Sequence, residues 1–319
     1  SIEYDNSFND KIINNFYHSI QTVASEFHQD SIKLSNGNIS DIKFMKKYGH
    51  LRPGSYDITS LRYDQMNIDL FKSKSLINGD YNVSSNFSIE SYFEKINLIL
   101  SEHDFVGITA SDFVNYISEA IKGREYAKFI FTKCLSMVLE IIAKYADSNG
   151  LSRDEISNLD INEIMSFKDS MSNKDSIMKI INTRKISNEI SNSIRLPQVL
   201  FELSGVEVVP FQISQPNFIT KKTIEADLYH LKSVSEIKTL KNKIILIENA
   251  DPGFDFIFNY PIKGLITKFG GSNSHMAIRC AEFGIPAAIG CGEEIFKSLA
   301  KPKTRVKINC LTNQIIKIL

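Results

Sequence analysis

The sequence predicts an α+β protein of two parts, a mainly helical domain over residues 1–205 and a mixed strand-and-helix domain over 206–319. Two observations predict it. Apolar residues recur at helical spacing through the first part, and short apolar runs alternate with helical patterns in the second. The length of 319 residues is enough for two domains and a sizeable core.

Phe8, Ile12, Ile13, Phe16, Tyr17, Ile20, Val23 and Phe27 set the first helical stretch. Tyr92, Phe93, Ile96, Leu98, Ile99 and Leu100 set another. Arg124 to Tyr145 reads as a third, with Phe129, Ile130, Cys134, Val138, Ile141 and Ile142 on or near one face. Ser152-Arg-Asp-Glu is a helix start with a capping box. Residues 162–195 are polar with spaced Ile and Met, which suits exposed helices. Pro197, Gly205 and Pro210 punctuate the chain. Val206 to Phe211 is strand-like, the domain boundary is expected near 205, and a polar linker over 212–240 could supply a hinge.

Beyond it, Ile244 to Ile247 reads as a buried strand, and Asp251-Pro252 opens a short helix with proline in its first turn. Gly264 to Thr267 is the next strand, followed by a helix beginning near His275. Ala287 to Ile289 is strand, Gly292 to Leu299 helix, and Arg305 to Ile308 with Ile315 to Ile318 closes as two strands around Thr312-Asn313.

The 37 basic and 37 acidic residues cancel, which argues against nucleic acid as a main partner. No run of about 18 apolar residues suggests a membrane span, and no signal peptide is visible. Cys134, Cys280, Cys291 and Cys310 form no CxxC pair or zinc-ligand spacing. They read as reduced core thiols of a cytoplasmic protein. No Asp, Glu or His cluster has a metal-ligand spacing, so no metal site is expected within the chain. His18, His28, His103 and His230 sit in polar contexts and read as surface residues.

Chemistry is concentrated in the run Gly264 to Gly290. Gly270 and Gly271 permit a tight turn and a close ligand. Ser272, Asn273 and Ser274 are natural N-cap residues, and the helix start they make offers N–H groups to a phosphate. His275, in that first turn, is placed to carry a phosphoryl group. The bland alternative is a glycine turn before an ordinary amphipathic helix, with His275 as a satisfied cap residue. It leaves the combination of Gly-Gly, His and Gly284-Ile-Pro286 unexplained.

That run closely resembles the mobile phosphohistidine domain of the PEP-utilising enzymes, whose usual pattern is Gly-Gly-x-Thr-Ser-His-x-Ala-Ile-x-Ala-Arg-x-x-Gly-Ile-Pro-Ala. Gly270, Gly271, Ser274, His275, Ala277, Ile278, Gly284, Ile285, Pro286 and Gly290 fit it, while Asn273 and Arg279–Cys280 depart from it. The resemblance implies a β/β/α swivelling domain. It also implies a cycle in which ATP with Mg2+, held by an N-terminal ATP-binding domain, phosphorylates His275 and leaves AMP and phosphate. The chain starts at Ser1, and the expectation is a C-terminal fragment of such an enzyme.

Lys47 to Ile58 is the second chemical stretch. His50 could be a general acid or base, Arg52 could clamp a phosphate or carboxylate, and Tyr56 and Asp57 could hold a polar acceptor. Equally, this is a structural turn with Arg52 and Asp57 as an internal ion pair. Similar Gly-His-x-x-Pro-Gly turns occur in the helical acceptor-binding domain of rifampin-phosphotransferase-like proteins. Arg124 and Lys128, four apart on a helix, could both meet a phosphoryl group on His275; a solvated face with Glu125 pairing is at least as good a reading. Pro216 to Thr220 reads as linker or packing.

The resemblance leaves the acceptor open among small molecules. The Gly-His-Leu-Arg-Pro-Gly turn with Gly-Gly-x-Asn-Ser-His is most similar to a capsule-associated subgroup, which includes enzymes that phosphorylate the side-chain amide nitrogen of L-glutamine. PEP synthase or antibiotic phosphotransferase activity is the runner-up, and a non-catalytic binding module is the reading from another class.

Overall fold

The computed structural model describes residues 10–72, 87–167, 174–193, 215–232 and 240–318. Helices fill the first part and a mixed sheet the second, as the sequence predicts. The expected boundary near 205 and the strand at Val206 to Phe211 lie outside the described residues.

The first periodic stretch is two helices, α1 (Asp10–Ser19) and α2 (Val23–Ser35). The break has a local cause: Thr22 is extended, and its hydroxyl accepts from Ser25 N in a capping box. Phe8 lies outside the described residues. Helix α3 (Asp41–Tyr48), capped by Ser40, leads into the turn around His50, and α4 (Phe93–Glu102) follows.

Helix α5 (Ala110–Ser148) runs well beyond the predicted Arg124 to Tyr145. Its buried residues are Ala110, Val114, Thr132, Ser136, Glu140, Ala143 and Ala146. Ile130, Cys134, Val138 and Ile141, predicted to share a face with the half-buried Phe129, are exposed instead. The hidden strip is small and polar because it receives the Arg52 guanidinium (below). Helices α6 (Arg153–Ile156), α7 (Ile161–Phe167) and α8 (Lys174–Ser193) complete this part. Ser152 makes the expected capping box with Glu155, and Ile177 and Ile181 on α8 are buried.

The expected linker holds two strands, β1 (Asn217–Ile219) and β2 (Thr223–His230). They join β3 (Ile244–Ile247), β4 (Gly264–Thr267), β5 (Ala287–Ile289), β6 (Arg305–Asn309) and β7 (Gln314–Ile318) in a seven-stranded sheet of order β1-β5-β4-β3-β2-β6-β7. Strands β2 to β5 pair in parallel, with Ile244 opposite Gly264 and Leu265 opposite Ala287, while β1, β6 and β7 are antiparallel. The unbroken apolar run Ile244-Ile-Leu-Ile247 suits a strand covered on both faces.

Those faces bury different partners. Ile244, Leu246 and Ile266 pack with Phe296 and Leu299 of helix α10 (Gly292–Leu299). Ile245, Ile247 and Leu265 pack with Met276, Ala277 and Cys280 of helix α9 (His275–Glu282). The second core continues without a break into Phe27, Phe44, Tyr48, Tyr63 and Phe71 of the helical part. The link is the 3-10 helix Pro252–Asn259, whose Phe256, Ile257 and Phe258 are buried. This seam places His275 against α5.

Candidate functional site

Strand β4 ends at Thr267, whose hydroxyl accepts from Gly290 N at 3.0 Å and donates to Phe269 O at 2.8 Å. The chain then turns through Gly270 at φ +127°, where a Cβ would lie 2.7 Å from that of Ala250. Only glycine takes this position without strain. Gly271 has open space where a Cβ would be, and Ser272 and Asn273 are exposed. Ser274 is the N-cap of α9, its hydroxyl accepting from Ala277 N at 3.4 Å. The first-turn N–H groups of such a helix suit an anion.

His275 opens that helix and is 8% exposed. Its Nε2 lies 2.7 Å from Asp255 Oδ1, on the 3-10 helix of the same domain. Its Nδ1 lies 3.4 Å from Glu125 Oε2, on α5. Arg279, one turn along α9, stands behind Asp255 with Nε 3.6 Å from Oδ1 and pairs with Glu282. Burial alone would lower the basicity of His275, but Asp255 and then Glu125 outweigh it and raise the pKa to about 9. Burial also pushes Asp255 up, yet His275 and Arg279 hold it below the usual carboxylate range. Glu125 is lowered chiefly by its bond to His275. The two carboxylates thus favour the protonated form of the ring, in which both nitrogens donate.

His275 forms one wall of a narrow cleft. The helical side contributes Tyr48, Leu51, Ser55, Glu125, Lys128 and Thr132. Its free volume of about 40 Å³ suits a few waters.

Of the second constellation, Leu51 and Ser55 reach this cleft, and the polar residues singled out from sequence stand elsewhere. Arg52 is 2% exposed and turned into the helical core. It donates to Ser136 Oγ at 3.0 Å and to the backbone oxygens of Asp57 and Ser60, and pairs with Glu140 at 3.0 Å. The alternative of an Arg52–Asp57 ion pair becomes a bond to the Asp57 carbonyl, because Glu140 supplies the carboxylate. His50 is buried edge-on against Phe129, its Nε2 without a hydrogen-bond partner. Burial and then Lys133 and Arg62 bring its pKa down to about 4. Tyr56 is 65% exposed, and the exposed Asp57 accepts from Thr59. Arg124 is exposed and pairs with Glu125 at 3.5 Å, whereas Lys128 lines the cleft.

Two residues at His275 escaped the sequence reading. Glu125 figures there only as a partner of Arg124. Asp255 had a usable signal, as the sole acidic residue of the apolar run Phe254-Asp-Phe-Ile-Phe258. His28, expected at the surface, is buried beside Phe283, and burial with Arg279 lowers its pKa to about 4. His230 is half-buried, and the side chain of His18 lies outside the described residues.

Residues 239–313 match the family described as PEP-utilising enzyme, mobile domain. This stretch runs from just before β3 to the β6–β7 turn, and the likeness covers that part of the chain alone. None of the curated proteins matches the chain. Among the described residues no helix is long and apolar enough to cross a membrane.

Proposed function

We propose that this chain is the carrier and acceptor-binding part of an ATP-dependent, dikinase-type phosphotransferase of the cytoplasm. His275 carries the phosphoryl group, and the helical part takes up the acceptor. The observation that supports this most is the placement of His275, at a glycine turn and helix start, facing Glu125 and Lys128 of another domain. Among the described residues no group of three His, Cys, Asp or Glu is arranged to hold a metal ion. ATP and Mg2+ are assigned to an N-terminal ATP-binding domain of the parent enzyme, which supplies the phosphoryl group and leaves AMP and phosphate.

The residues present divide the remaining work. His275 binds phosphorus through one ring nitrogen. The Gly271 to Ser274 backbone and Lys128 balance the negative charge. At the acceptor, Glu125 takes the proton of the attacking N–H or O–H as the P–N bond breaks and its electron pair returns to the ring. The proton then passes to the freed nitrogen, which stands 3.4 Å from Glu125. His50, through Phe129, and Arg52, through Ser136 and Glu140, hold α5 and the turn in register. They shape the acceptor site without touching the acceptor.

The acceptor proposed is the side-chain amide nitrogen of L-glutamine, for capsule phosphoramidate synthesis; the Gly49-to-Gly54 turn and Asn273 support it. Phosphorus NMR of the full-length parent with ATP, Mg2+ and L-glutamine tests it. A glutamine-dependent phosphoramidate resonance with AMP and phosphate is expected. AMP without that resonance moves the acceptor to pyruvate or an antibiotic, and no AMP makes this a non-catalytic module. His275→Ala is expected to abolish turnover.

A further inference from the structure

We propose that a second cavity, separate from the His275 cleft, binds a zwitterionic small molecule of the amino-acid class that bridges the helical and sheet parts. This does not depend on the reading of His275 as carrier.

The cavity has a free volume of about 880 Å³. That is within the range of small-molecule sites, which favour the junction of two structural parts. One wall is drawn from residues 53–70 of the helical part. The other is the end of β2 with the segment that follows β3. No residue lines both this cavity and the cleft at His275. Leu51, Ser55 and Asp255 face the cleft, whereas Pro53, Asp57 and Phe254 face the cavity. A molecule held here therefore meets neither His275 nor Glu125, and it is an effector rather than the acceptor.

Charge selects the occupant. Lys232 is the only Lys or Arg of the lining. It is exposed and has no ion-pair partner among the described residues. His230 adds no second positive charge, because burial and then Lys232 lower its pKa, and its Nδ1 is buried without a hydrogen-bond partner. On the opposite wall Asp57 accepts from Thr59 through Oδ1, which leaves Oδ2 for a ligand. Glu248 is exposed, with Lys268 at 3.8 Å. Two carboxylates against one ammonium disfavour a nucleotide or another polyanion.

A ligand carboxylate on Lys232 and the Asn249 amide, with a ligand ammonium on Asp57, satisfies both walls. Met66, Leu231 and Phe254 offer apolar surface to its side chain. One end is then held by the sheet part and the other by the helical part, so occupancy stabilises their contact.

Amide proton–nitrogen NMR of the intact chain, titrated with L-phenylalanine, tests this. Saturable shifts are expected at residues 57–67, 231–232 and 248–249, with a dissociation constant of about 1 mM or below. Phenethylamine and 3-phenylpropionate each carry one of the two charges, and both should bind about tenfold more weakly. Lys232→Met and Asp57→Asn should each weaken L-phenylalanine about fivefold or more. AMP should leave the same amides unmoved. Absence of saturable shifts, shifts centred on His275, saturable AMP shifts, or single-charge analogues that bind as well as L-phenylalanine would overturn the proposal. The analogue comparison uses the wild-type chain and decides even if a variant fails to fold.

Discussion

At the scale of single residues, His275 makes the fold sensitive to pH. Its folded pKa of about 9 exceeds the unfolded 6.5. The stability it contributes is complete below about pH 6.5 and is lost as pH rises through about 9. A shift of this size corresponds to roughly 3 kcal/mol. Asp255 and Glu125, both depressed, work in the opposite sense, and their contributions are lost as pH falls through their folded values. Urea midpoints measured from pH 6 to 10 should therefore decline, and less steeply in Glu125→Gln. Arg52 makes a second prediction. Its pairing with Glu140, which Arg153 also holds at 2.8 Å, is a buried network. Arg52→Met should cost about 3 kcal/mol in urea unfolding, while Tyr56→Ala on the exposed rim should stay within about 0.5 kcal/mol. His275 stood out in the sequence because glycine, cap residues and proline run locally around it. Glu125 was not, since its partner lies 150 positions away and its own neighbourhood reads as an ordinary solvated helix.

At the scale of elements, local signals located most of the C-terminal domain. Apolar runs mark β3, β4 and β5, and Ser152 and Glu155 mark α6. Strands β1 and β2 were read as linker because their outward residues are polar; in β2, Thr223, Glu225 and Asp227 are exposed. The fold of the loop before α9 depends on Gly270 more than on its neighbour. Gly270→Ala meets both an unfavourable φ and the Ala250 side chain, whereas Gly271→Ala meets nothing. Strain of this kind costs on the order of 1–3 kcal/mol. Gly270→Ala should thus lower the melting temperature by several degrees and displace the His275 ring resonances, and Gly271→Ala should do neither. Equal effects from the two would show that the turn is not the support of the helix start.

At the scale of the molecule, the helical part and the sheet part are joined by an apolar seam. Phe256 meets Tyr63 and Phe71 edge-on at 6.3 and 6.2 Å, all three rings being wholly buried. Asn259 donates to Ser31 and to Phe71 O, and Tyr63 donates to Gly253 O at 2.6 Å. Exposing a ring of this kind costs roughly 2–3 kcal/mol. Separating the two parts would therefore expose several such rings to water. At Gly253 the two parts approach backbone to backbone, because a Cβ there would strike the Arg52 carbonyl and come within 2.7 Å of Pro53 Cα. Both obstacles are backbone, which a rotamer change cannot relieve. Gly253→Ala should hence open the seam while leaving helix content unchanged by circular dichroism. Its radius of gyration in small-angle scattering should rise. In the same variant His275 loses Glu125 but keeps Asp255, so its pKa should fall below about 9 without reaching that of a histidine free of carboxylates. An unchanged radius with an unchanged His275 titration would mean that the seam yields locally at the Pro53 turn, and that close backbone contact does not govern docking.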